Sequence, residues 1–415
     1  MADAVWDIVV VGAGAAGLVA AVRAAECGRR VLLLEKNRKA GVKILMSGGT
    51  RCNLTHATDN RGIVEAFGPP GRFLHSALAA LSVQDTIELF EAEGVATKIE
   101  ETGKVFPVSN KALDVLDALL RRLRRSGAAL ALAEPLLDLQ TASPGFALTT
   151  PQRVVHTAAV ILTTGGQSYP GSGTTGDGYG LTARLGHTIV PPRPALVPVT
   201  VAAPWVADLR GITLPDVAVR VVEAGKTLTA RRGSLLFAHF GLSGPVVLDV
   251  SRAISGHPQP QTLTLELDLL PAFAEPALDE HLRVETVSAG KKQLAALLAV
   301  HLPRRLCEIL LQAAELPADR KAAALSRSDR VRLVGCVKRL SLAVTGTLGF
   351  GKAEVTAGGV ALEEVDSRSL CSKRVPGLYI AGELLDLDGP IGGYNFQAAF
   401  SNGWLAGQSA ARLGE

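Results

Sequence analysis

The chain has 415 residues and a formal net charge of only +4, with 47% hydrophobic and 20% charged residues. This length predicts two or three domains with a large core, and so mild a charge argues against a nucleic-acid-binding protein. The five cysteines are dispersed without a CxxC pair, which argues against a disulfide framework and favours a reducing compartment. The first residues lack a signal-peptide pattern, and no run reaches the ~20 apolar residues of a membrane span. We therefore expect a cytoplasmic protein with no membrane or nucleic-acid partner, and with no metal because cysteines and histidines are scattered.

The chain opens with the pattern of a dinucleotide-binding strand and turn. A continuous apolar run over Ile8–Val11 predicts a parallel strand that is buried on both faces. In the next turn, Gly12 permits a tight bend, Gly14 lets the backbone approach a pyrophosphate, and Gly17 lets the following helix pack on the strand. The three glycines therefore indicate a site for the phosphates of a dinucleotide.

The helix after this turn and the acid after the second strand complete the pattern. The helix is predicted over about residues 15–27, and the amides of its first residues, Ala15 and Ala16, favour the negative charge of a pyrophosphate. Glu35 stands close to the spacing of about 20 residues at which an acid binds ribose hydroxyls, and Lys36 follows it. An acid here disfavours a 2′-phosphate, so the predicted ligand is NAD or FAD.

The next segments continue the α/β pattern. An amphipathic helix over Asp114–Arg125 ends in four arginines, which we interpret as a solvated helix face. A buried strand that begins near Ala158 runs into a turn at Gly165 and Gly166, and Asp177 is expected to cap the helix that follows. Short strands are also predicted over residues 128–132, 136–140 and 146–149.

The middle of the chain differs in character and indicates an insertion. Pro191–Pro194 is predicted to be a stiff linker. Residues 191–270 are expected to form a β-rich domain and residues 271–344 a small helical domain. The predicted strands cover residues 217–222, 227–230, 235–237 and 263–267. The helical segment carries a group of basic residues: Lys291, Lys292, Arg304, Arg305, Arg320, Lys321, Arg327, Arg330 and Arg332.

The last section, residues 345–415, returns to glycine-rich α/β character. A strand runs into Gly382 and Glu383, and a second glycine turn precedes a helix over about residues 396–413. A dehydrogenase that binds only NAD does not need this second turn, whereas FAD proteins use such a helix end to stabilise negative charge on the reduced ring. We therefore expect a discontinuous FAD-binding domain made of residues 1–190 and 345–415.

Five segments carry a resemblance to a known family. They resemble bacterial NAD(P)/FAD-dependent oxidoreductases of the BaiN/RdsA-like, or aminoacetone-oxidase-like, type. The resemblance implies a Rossmann-like FAD-binding domain of the two-dinucleotide-binding type, interrupted by a β-rich insert and a small helical domain. It also implies redox chemistry on a small organic substrate, which it does not name. The segments are residues 40–55, 164–179, 236–245, 356–365 and 377–397.

The resemblance also assigns residues to the cofactor. Arg51 is the expected phosphate partner because a guanidinium binds two oxygens at once, and Leu136 is expected near adenine. Cys52 is interpreted as small-residue packing beside the flavin because no neighbour in sequence lowers its pKa. Thr50 stands where the family commonly has glycine. The remaining expected cofactor contacts are Lys43, Ser47, Gly48, Gly49, Asn53, Thr164, Gly165, Gly166, Gly382, Glu383, Gly392, Gly393, Tyr394, Asn395 and Gln397.

These features predict a hydride transfer between flavin N5 and a small molecule, and several alternatives stay open. NAD(P)H is one candidate for the reductant, and a flavoprotein oxidase that passes electrons from an amine or aminoketone to O₂ is the other branch. A nucleic-acid-modifying flavoprotein that uses the basic helical segment and a redox-sensing flavoprotein are rival hypotheses. No catalytic side chain is assigned. His239 is weighed as a proton donor against a structural histidine, and the oligomeric state is open.

Overall fold

The computed structural model describes residues 6–414. The N-terminal residues that bear on the signal-peptide prediction lie partly outside this range. The strands β1–β18 cover Trp6–Val11, Val31–Leu34, Thr55–His56, Thr97–Ile99, Lys104–Pro107, Ala129–Ala131, Asp138–Thr141, Phe146–Thr149, Val154–Leu162, Ile189–Ala195, Val199–Val201, Thr213–Glu223, Lys226–Ala238, Gly241–Ser243, Leu263–Asp268, Leu340–Thr347, Val355–Val360 and Leu378–Ile380. The helices α1–α13 cover Ala15–Glu26, Val42–Met46, Asn60–Ala66, His75–Ala80, Val83–Ala92, Ala112–Ser126, Asp177–Arg184, Pro245–Ser255, Glu275–Ser288, Leu294–Leu298, Arg304–Ala313, Arg327–Lys338 and Tyr394–Ala411.

The chain folds into two compact units. The first comprises the residues up to Pro194 together with those from Glu354 onwards, and the second comprises Ala195–Ala353. The first unit is therefore discontinuous in sequence, and the second is inserted into it. Whether the insertion divides further near residue 270 stays a prediction.

The first unit is built around a seven-stranded sheet in the order β6-β2-β1-β9-β8-β7, with β18 also paired to β9. The strands β6, β2, β1, β9 and β18 run parallel, and Val9 pairs with Leu32 on one side and Val160 on the other. Val9 has no solvent exposure, as expected for a strand covered on both faces. The carboxyl ends of these parallel strands meet at one edge, where ligands bind in such sheets.

Helix α13 packs on α1 through two glycines that the sequence analysis did not single out. A Cβ atom at Gly403 would lie 2.2 Å from the Ala16 carbonyl oxygen, and one at Gly407 would lie 2.4 Å from that of Ala20. Only hydrogen at these positions permits so close an approach of the two helices. The glycine spacing of four residues therefore joins the C-terminal helix to the first helix of the chain.

The second unit is a closed barrel with helices inserted into its sequence. Its strand order is β11-β14-β13-β12-β15-β16, and the helices α9–α12 lie in sequence between β15 and β16. Strand β16 pairs with both β15 and β11, so a strand that follows the helical segment closes the barrel. Barrel residues such as Leu265 and helix residues such as Leu310 share one buried cluster.

Two local predictions differ from the structure. Pro191–Pro194 lies within β10, which pairs with β17, rather than in a free linker. Residues 227–230 and 235–237, expected as separate strands, belong to one long strand, β13, because it pairs with β12 along most of its length. No helix within residues 6–414 is long and apolar enough to cross a membrane.

Candidate functional site

The glycine turn after β1 leaves open space where a phosphate is expected. Gly12 has φ +100°, and a Cβ atom there would lie 2.6 Å from the Thr163 carbonyl oxygen. At Gly17 a Cβ atom would lie 1.8 Å from the Gly12 oxygen, so both glycines are required by the fold itself. A Cβ atom at Gly14 would meet nothing within 4 Å, and no side chain caps the N-terminus of α1, which begins here. Packing within the protein therefore does not require glycine at position 14, and the role of Gly14 toward a pyrophosphate stays a prediction.

The end of β2 positions a carboxylate beside this turn. Glu35 is buried, and its two oxygens accept hydrogen bonds from the amides of Ala13 and Asn37, each at 2.8 Å. These bonds hold the carboxylate at the carboxyl end of the sheet, where an acid of a Rossmann fold receives ribose hydroxyls. Lys36 points elsewhere, since its Nζ atom lies 2.5 Å from Asp177 Oδ2 and 2.6 Å from Thr175 Oγ1.

Asp177 does not cap its helix, contrary to the expectation from sequence. Helix α7 begins at Asp177 itself, with Gly176 as the N-cap residue and no capping side chain. The carboxylate instead accepts from Lys36 and from the Thr175 hydroxyl, which hold its pKa below the usual range against the opposing effect of burial. The ion pair with Lys36 therefore replaces the expected cap.

Several residues of the loop after α2 have a left-handed backbone conformation. Gly48, Gly49, Thr50 and Cys52 all have φ between +55° and +68°, a region that only glycine adopts readily. Thr50 has φ +68° although it is not a glycine. The Cys52 side chain is fully buried, and burial raises its pKa to about 12. Cys52 is therefore a neutral, packed thiol, and its place beside the flavin stays a prediction.

Arg51, the expected phosphate partner, has protein partners of its own. Its Nη1 atom lies 2.7 Å from Glu100 Oε1, and its guanidinium lies 4.0 Å from the centre of the Phe106 ring. The side chain is about one-third exposed, so it sits at the surface of the unit. A phosphate contact by Arg51 stays a prediction, and it requires exchange of the Glu100 partner.

A polar network joins the segment of Lys43 to the C-terminal glycine turn. Lys43 Nζ lies 2.5 Å from Glu383 Oε2 and 2.6 Å from Ser168 Oγ. The other oxygen of Glu383 accepts hydrogen bonds from Ser168 Oγ at 2.8 Å and from the Thr356 amide at 2.9 Å. A Cβ atom at Gly166 would lie 3.0 Å from Glu383 Oε1, so this predicted turn glycine borders the same network.

The C-terminal segment returns to the first helix, as the discontinuous FAD-binding domain requires. A Cβ atom at Gly382 would lie 2.9 Å from Ala16 Cβ, in the first turn of α1. Ala16 therefore lies against both the Gly382 turn and α13. The two glycine-rich regions, predicted as parts of one site, are brought together by the fold.

The second glycine turn packs on β3. A Cβ atom at Gly393 would lie 2.4 Å from the Thr55 carbonyl oxygen. The His56 ring stacks on Tyr394 with ring centres 4.6 Å apart, and His56 Nδ1 lies 3.2 Å from the Gly392 carbonyl oxygen. Helix α13 then begins at Tyr394 with no side-chain cap, which leaves the positive end of its dipole for a ligand.

Other predicted contacts are engaged within the protein. The Asn395 side chain donates to the Gly389 carbonyl at 2.9 Å and accepts from the Gly389 amide at 2.8 Å. Gln397 is fully buried and its amide nitrogen donates to Thr86 Oγ1 and Ser401 Oγ, both at 2.9 Å, whereas its Oε1 atom has no partner within residues 6–414. The roles of both residues toward a cofactor stay predictions. So do those of Ser47, whose hydroxyl donates to Ile44, of Leu136, which lies between β6 and β7, and of Gly165.

Buried polar atoms without partners identify where a polar ligand fits. Within residues 6–414, Asn53 Oδ1 and Thr164 Oγ1 are buried and have no hydrogen-bond partner. Such atoms cost free energy unless something satisfies them. Both belong to the predicted cofactor set. Together with the open space at Gly14 and the uncapped α1 helix, they fit a large polar cofactor.

The other two features singled out from the sequence are His239 and the arginine group of α6. His239, weighed as a proton donor, follows β13 in the second unit, and its ring packs edge-on against Phe240 with centres 5.0 Å apart. The arginine group at the end of α6 is largely exposed, as predicted, and two of its members also form ion pairs. Arg122 pairs with Glu26 at 2.8 Å, and Arg125 pairs with Glu93. These pairs connect α6 to neighbouring helices.

The mainly parallel sheet built from two separated segments, the open turn at Gly14, the fixed Glu35 carboxylate and the second glycine turn together fit a Rossmann-type FAD-dependent oxidoreductase. The family model of the HI0933-like protein Rossmann domain matches residues 6–409. The chain belongs to this family, and the family predicted from the sequence motifs is confirmed.

Relatives of known name resemble the chain over almost its full length. A ribosomal RNA dihydrouridine synthase of Escherichia coli (strain K12) is 36% identical over 403 residues, which cover 97% of both chains. A 3-dehydro-bile acid delta(4,6)-reductase of Clostridium scindens is 31% identical over 409 residues, which cover 97% of this chain and 98% of the relative.

A solved structure supports the fold. The open conformation of a flavocytochrome c3 fumarate reductase superposes with a TM-score of 0.52 at 18% identity, covering 99% of this chain and 79% of that one. At this identity the likeness concerns the architecture alone.

Proposed function

We propose that this protein uses FAD to reduce a carbon–carbon double bond conjugated to a carbonyl group, and that its substrate is uridine in ribosomal RNA. The observation that carries this proposal is the 36% identity to a ribosomal RNA dihydrouridine synthase over 97% of both chains. A likeness of that extent includes the inserted unit as well as the FAD-binding unit.

The names of the two relatives have one reaction type in common. Dihydrouridine is uridine whose C5–C6 double bond, conjugated to the C4 carbonyl, has been saturated. A 3-dehydro-bile acid with delta(4,6) unsaturation is likewise a conjugated enone. In both substrates a hydride adds to the β carbon of the conjugated carbonyl system, or to a carbon further along it. A proton then adds to the neighbouring carbon and completes the saturation of the double bond. When bound and reduced, the flavin would supply the hydride and become oxidised FAD.

The residues of the chain hold the cofactor and set the charge around it. The space over Gly14 and the first amides of α1 would receive the pyrophosphate, and the Glu35 carboxylate would receive ribose hydroxyls. The Lys43–Glu383 ion pair, held by Ser168, places one positive and one negative group beside the Gly382 turn. Charges held by such contacts would orient polar groups of a bound ligand.

The electron source follows from the direction of the reaction. Saturation of one double bond consumes two electrons in each turnover, and O₂ accepts electrons rather than donating them. We therefore propose a reduced nicotinamide, NADH or NADPH, as the reductant. The oxidase branch of the sequence analysis does not apply under this proposal.

The expectation that nucleic acid is not a partner gives way under this proposal. It rested on the net charge of +4. Net charge is a sum over the whole chain, so a low value is compatible with a local cluster of unpaired positive side chains. The name of the relative from Escherichia coli favours an RNA partner.

A second candidate is the reduction of a small steroid-like enone, which the 31% identity to the bile acid reductase supports. Anaerobic mixing separates the two. Holoenzyme reduced with NADH or NADPH is mixed with unmodified ribosomal RNA, with an all-purine RNA, or with a 3-keto-delta-4 steroid, and flavin absorbance is followed. We expect reoxidation by the ribosomal RNA only. Reoxidation by the steroid alone would reject RNA as the substrate.

A further inference from the structure

We propose that Lys291, Lys292 and Lys321, on the inserted unit, form a docking surface for the phosphate backbone of the RNA substrate. This inference rests on the proposed function, since it names the part of the chain that would bind that RNA. The three residues, called the lysine patch below, are exposed.

The backbone brings the patch together from two separated segments. Gln293 and Lys321 face each other in an antiparallel bridge. The Ala322 amide donates to the Lys292 carbonyl at 2.9 Å, and the Leu294 amide donates to that of Arg320 at 2.9 Å. Residues opposite each other in such a bridge lie about 5 Å apart at Cα. The lysines of both segments therefore share one small area of surface.

Unlike most arginines of the helical segment, the residues of the lysine patch have no acidic partners within residues 6–414. Most of the arginines nearby are neutralised: Arg330 by Asp279 at 2.8 Å, Arg332 by Asp329 at 2.8 Å and Arg304 by Glu308 at 3.3 Å. Across residues 6–414, by contrast, the three lysine side chains have no hydrogen-bond or ion-pair partner. Among the described residues of this segment, the other basic side chains without an acidic partner are Arg305, which donates to the Asp208 carbonyl, and Arg327, so three of the five unpaired charges lie in the patch.

Neighbouring charges leave the patch positive. Arg320 adds a positive charge, although it forms an ion pair with Asp329 at 3.0 Å. Arg327 is exposed at the start of α12. Asp319 is the exposed acid of the same stretch. One carboxylate therefore stands against three unpaired lysines. An anionic polymer is the partner that this balance of charge fits.

The residue types favour phosphate contacts over base recognition. Residues 290–293 and 319–324 contain no aromatic side chain on which a base stacks. Lysine binds phosphate as a mobile point charge, which positions a nucleic acid without reading its sequence. The patch is therefore expected to increase the affinity for RNA of any sequence. The active site is expected to select the uridine that is reduced.

Neutralisation of the patch tests this inference in the full-length holoenzyme. The variant Lys291→Gln, Lys292→Gln, Lys321→Gln is compared with a matched variant of three exposed basic residues in the same unit, Arg210→Gln, Lys226→Gln, Arg231→Gln. Binding of fluorescently labelled, unmodified ribosomal RNA is measured by anisotropy at several salt concentrations. Thermal unfolding and flavin content verify that both variants are folded.

The expected effect follows from counterion release. Each phosphate contact contributes about 0.7 to 0.9 to the slope of log affinity against log salt, so the patch variant should lose about 2 to 3 units of slope. At about 0.1 M salt this corresponds to at least roughly 100-fold weaker binding. The matched variant should stay close to the wild-type protein.

Several outcomes overturn the inference. Wild-type-like binding by the patch variant, or equal loss by the matched variant, would reject the patch as the docking surface. Tighter binding of the wild-type protein to phosphatidylglycerol vesicles than to RNA would assign the patch to a membrane instead. Dihydrouridine formation is followed in parallel. If the wild-type enzyme forms dihydrouridine but the patch variant binds RNA like the wild-type protein, only this inference fails. If the wild-type enzyme forms no dihydrouridine, the proposed function fails as well.

Discussion

The substitution Gly14→Ala separates cofactor binding from folding. The backbone at Gly14 has φ −83° and ψ −166°, which alanine adopts without strain, and its Cβ atom would meet nothing within 4 Å. An alanine here restricts the unfolded chain, so the apoprotein should be as stable as the wild-type protein or more stable by about 0.4–1 kcal/mol. The methyl group instead occupies the space through which the pyrophosphate approaches the backbone.

The loss of FAD affinity is estimated from the contacts that the methyl group displaces. Loss of one hydrogen bond to a charged phosphate costs about 1.5–3 kcal/mol, which weakens FAD binding by about 10- to 150-fold. Gly17→Ala is the matched control, because its Cβ atom would lie 1.8 Å from the Gly12 oxygen. It should lower the stability of the apoprotein by about 1–3 kcal/mol or more.

Two measurements on each variant decide the outcome. Urea unfolding of the apoprotein gives the free energy of unfolding, and titration of the apoprotein with FAD, followed by flavin fluorescence, gives the dissociation constant. Gly14→Ala should lose affinity and keep its stability, whereas Gly17→Ala should lose stability. Wild-type FAD affinity in Gly14→Ala would refute the assignment of this turn to the pyrophosphate.

Four further outcomes are expected. Gly403→Ala should destabilise the protein by about 1–3 kcal/mol in urea unfolding, because a Cβ atom there would lie 2.2 Å from a backbone oxygen of α1. A thiol reagent at neutral pH should label exposed Cys27 and leave Cys52 unlabelled until unfolding. Because the pKa of Cys52 is raised from 9.0 to about 12, its contribution to stability should be full below pH 9 and decrease from pH 9 to about 12. Arg374 lowers the pKa of Glu364 from 4.5 to about 2. The contribution of Glu364 to stability is therefore present above pH 4.5 and lost toward pH 2. Arg374→Gln should reduce stability at pH 7 more than at pH 2.

Each of these expectations has a control that isolates its cause. Gly335→Ala, in helix α12, meets only the end of Arg339 at 4.0 Å and should not destabilise the protein. Arg61→Gln breaks an exposed ion pair with Glu65 and should barely change stability at either pH. Rapid labelling of Cys52 in the folded protein, or equal effects of the two arginine substitutions, would contradict the packing described above.

The strand, turn and helix at the N-terminus were predictable from sequence because their determinants are local. The glycines, the apolar run and Glu35 lie within one short segment, and each acts on its immediate neighbours. The return of the C-terminal segment was also predictable from its second glycine turn, and Gly382 lies against Ala16 as a single site requires.

Contacts between distant segments were not predictable, since no local pattern specifies them. Lys43 pairs with Glu383, and Arg51 pairs with Glu100 in the neighbourhood of a short β-sheet. Asp177 is a usual capping residue, yet an ion pair with Lys36 outweighs the cap. Strand composition did not reveal that β16 closes the barrel after the helices, because pairing of strands is decided by the tertiary fold.

The spacing of two glycines on the last helix is a signal of helix packing that the sequence contains. Gly403 and Gly407 stand four residues apart on the last helix, the spacing at which small residues line one helix face. In the structure they contact Ala16 and Ala20, which have the same spacing on α1. Small residues at matched spacings on two helices therefore indicate a close helix pair.

The most direct test of the account is the appearance of dihydrouridine in ribosomal RNA. Unmodified ribosomal RNA is incubated anaerobically with the holoenzyme and NADH or NADPH, digested to nucleosides and analysed by mass spectrometry. We expect dihydrouridine to form with the FAD-loaded protein and not with the FAD-free protein. A holoenzyme whose flavin is reduced by the nicotinamide but which leaves every uridine unchanged would contradict the proposed function.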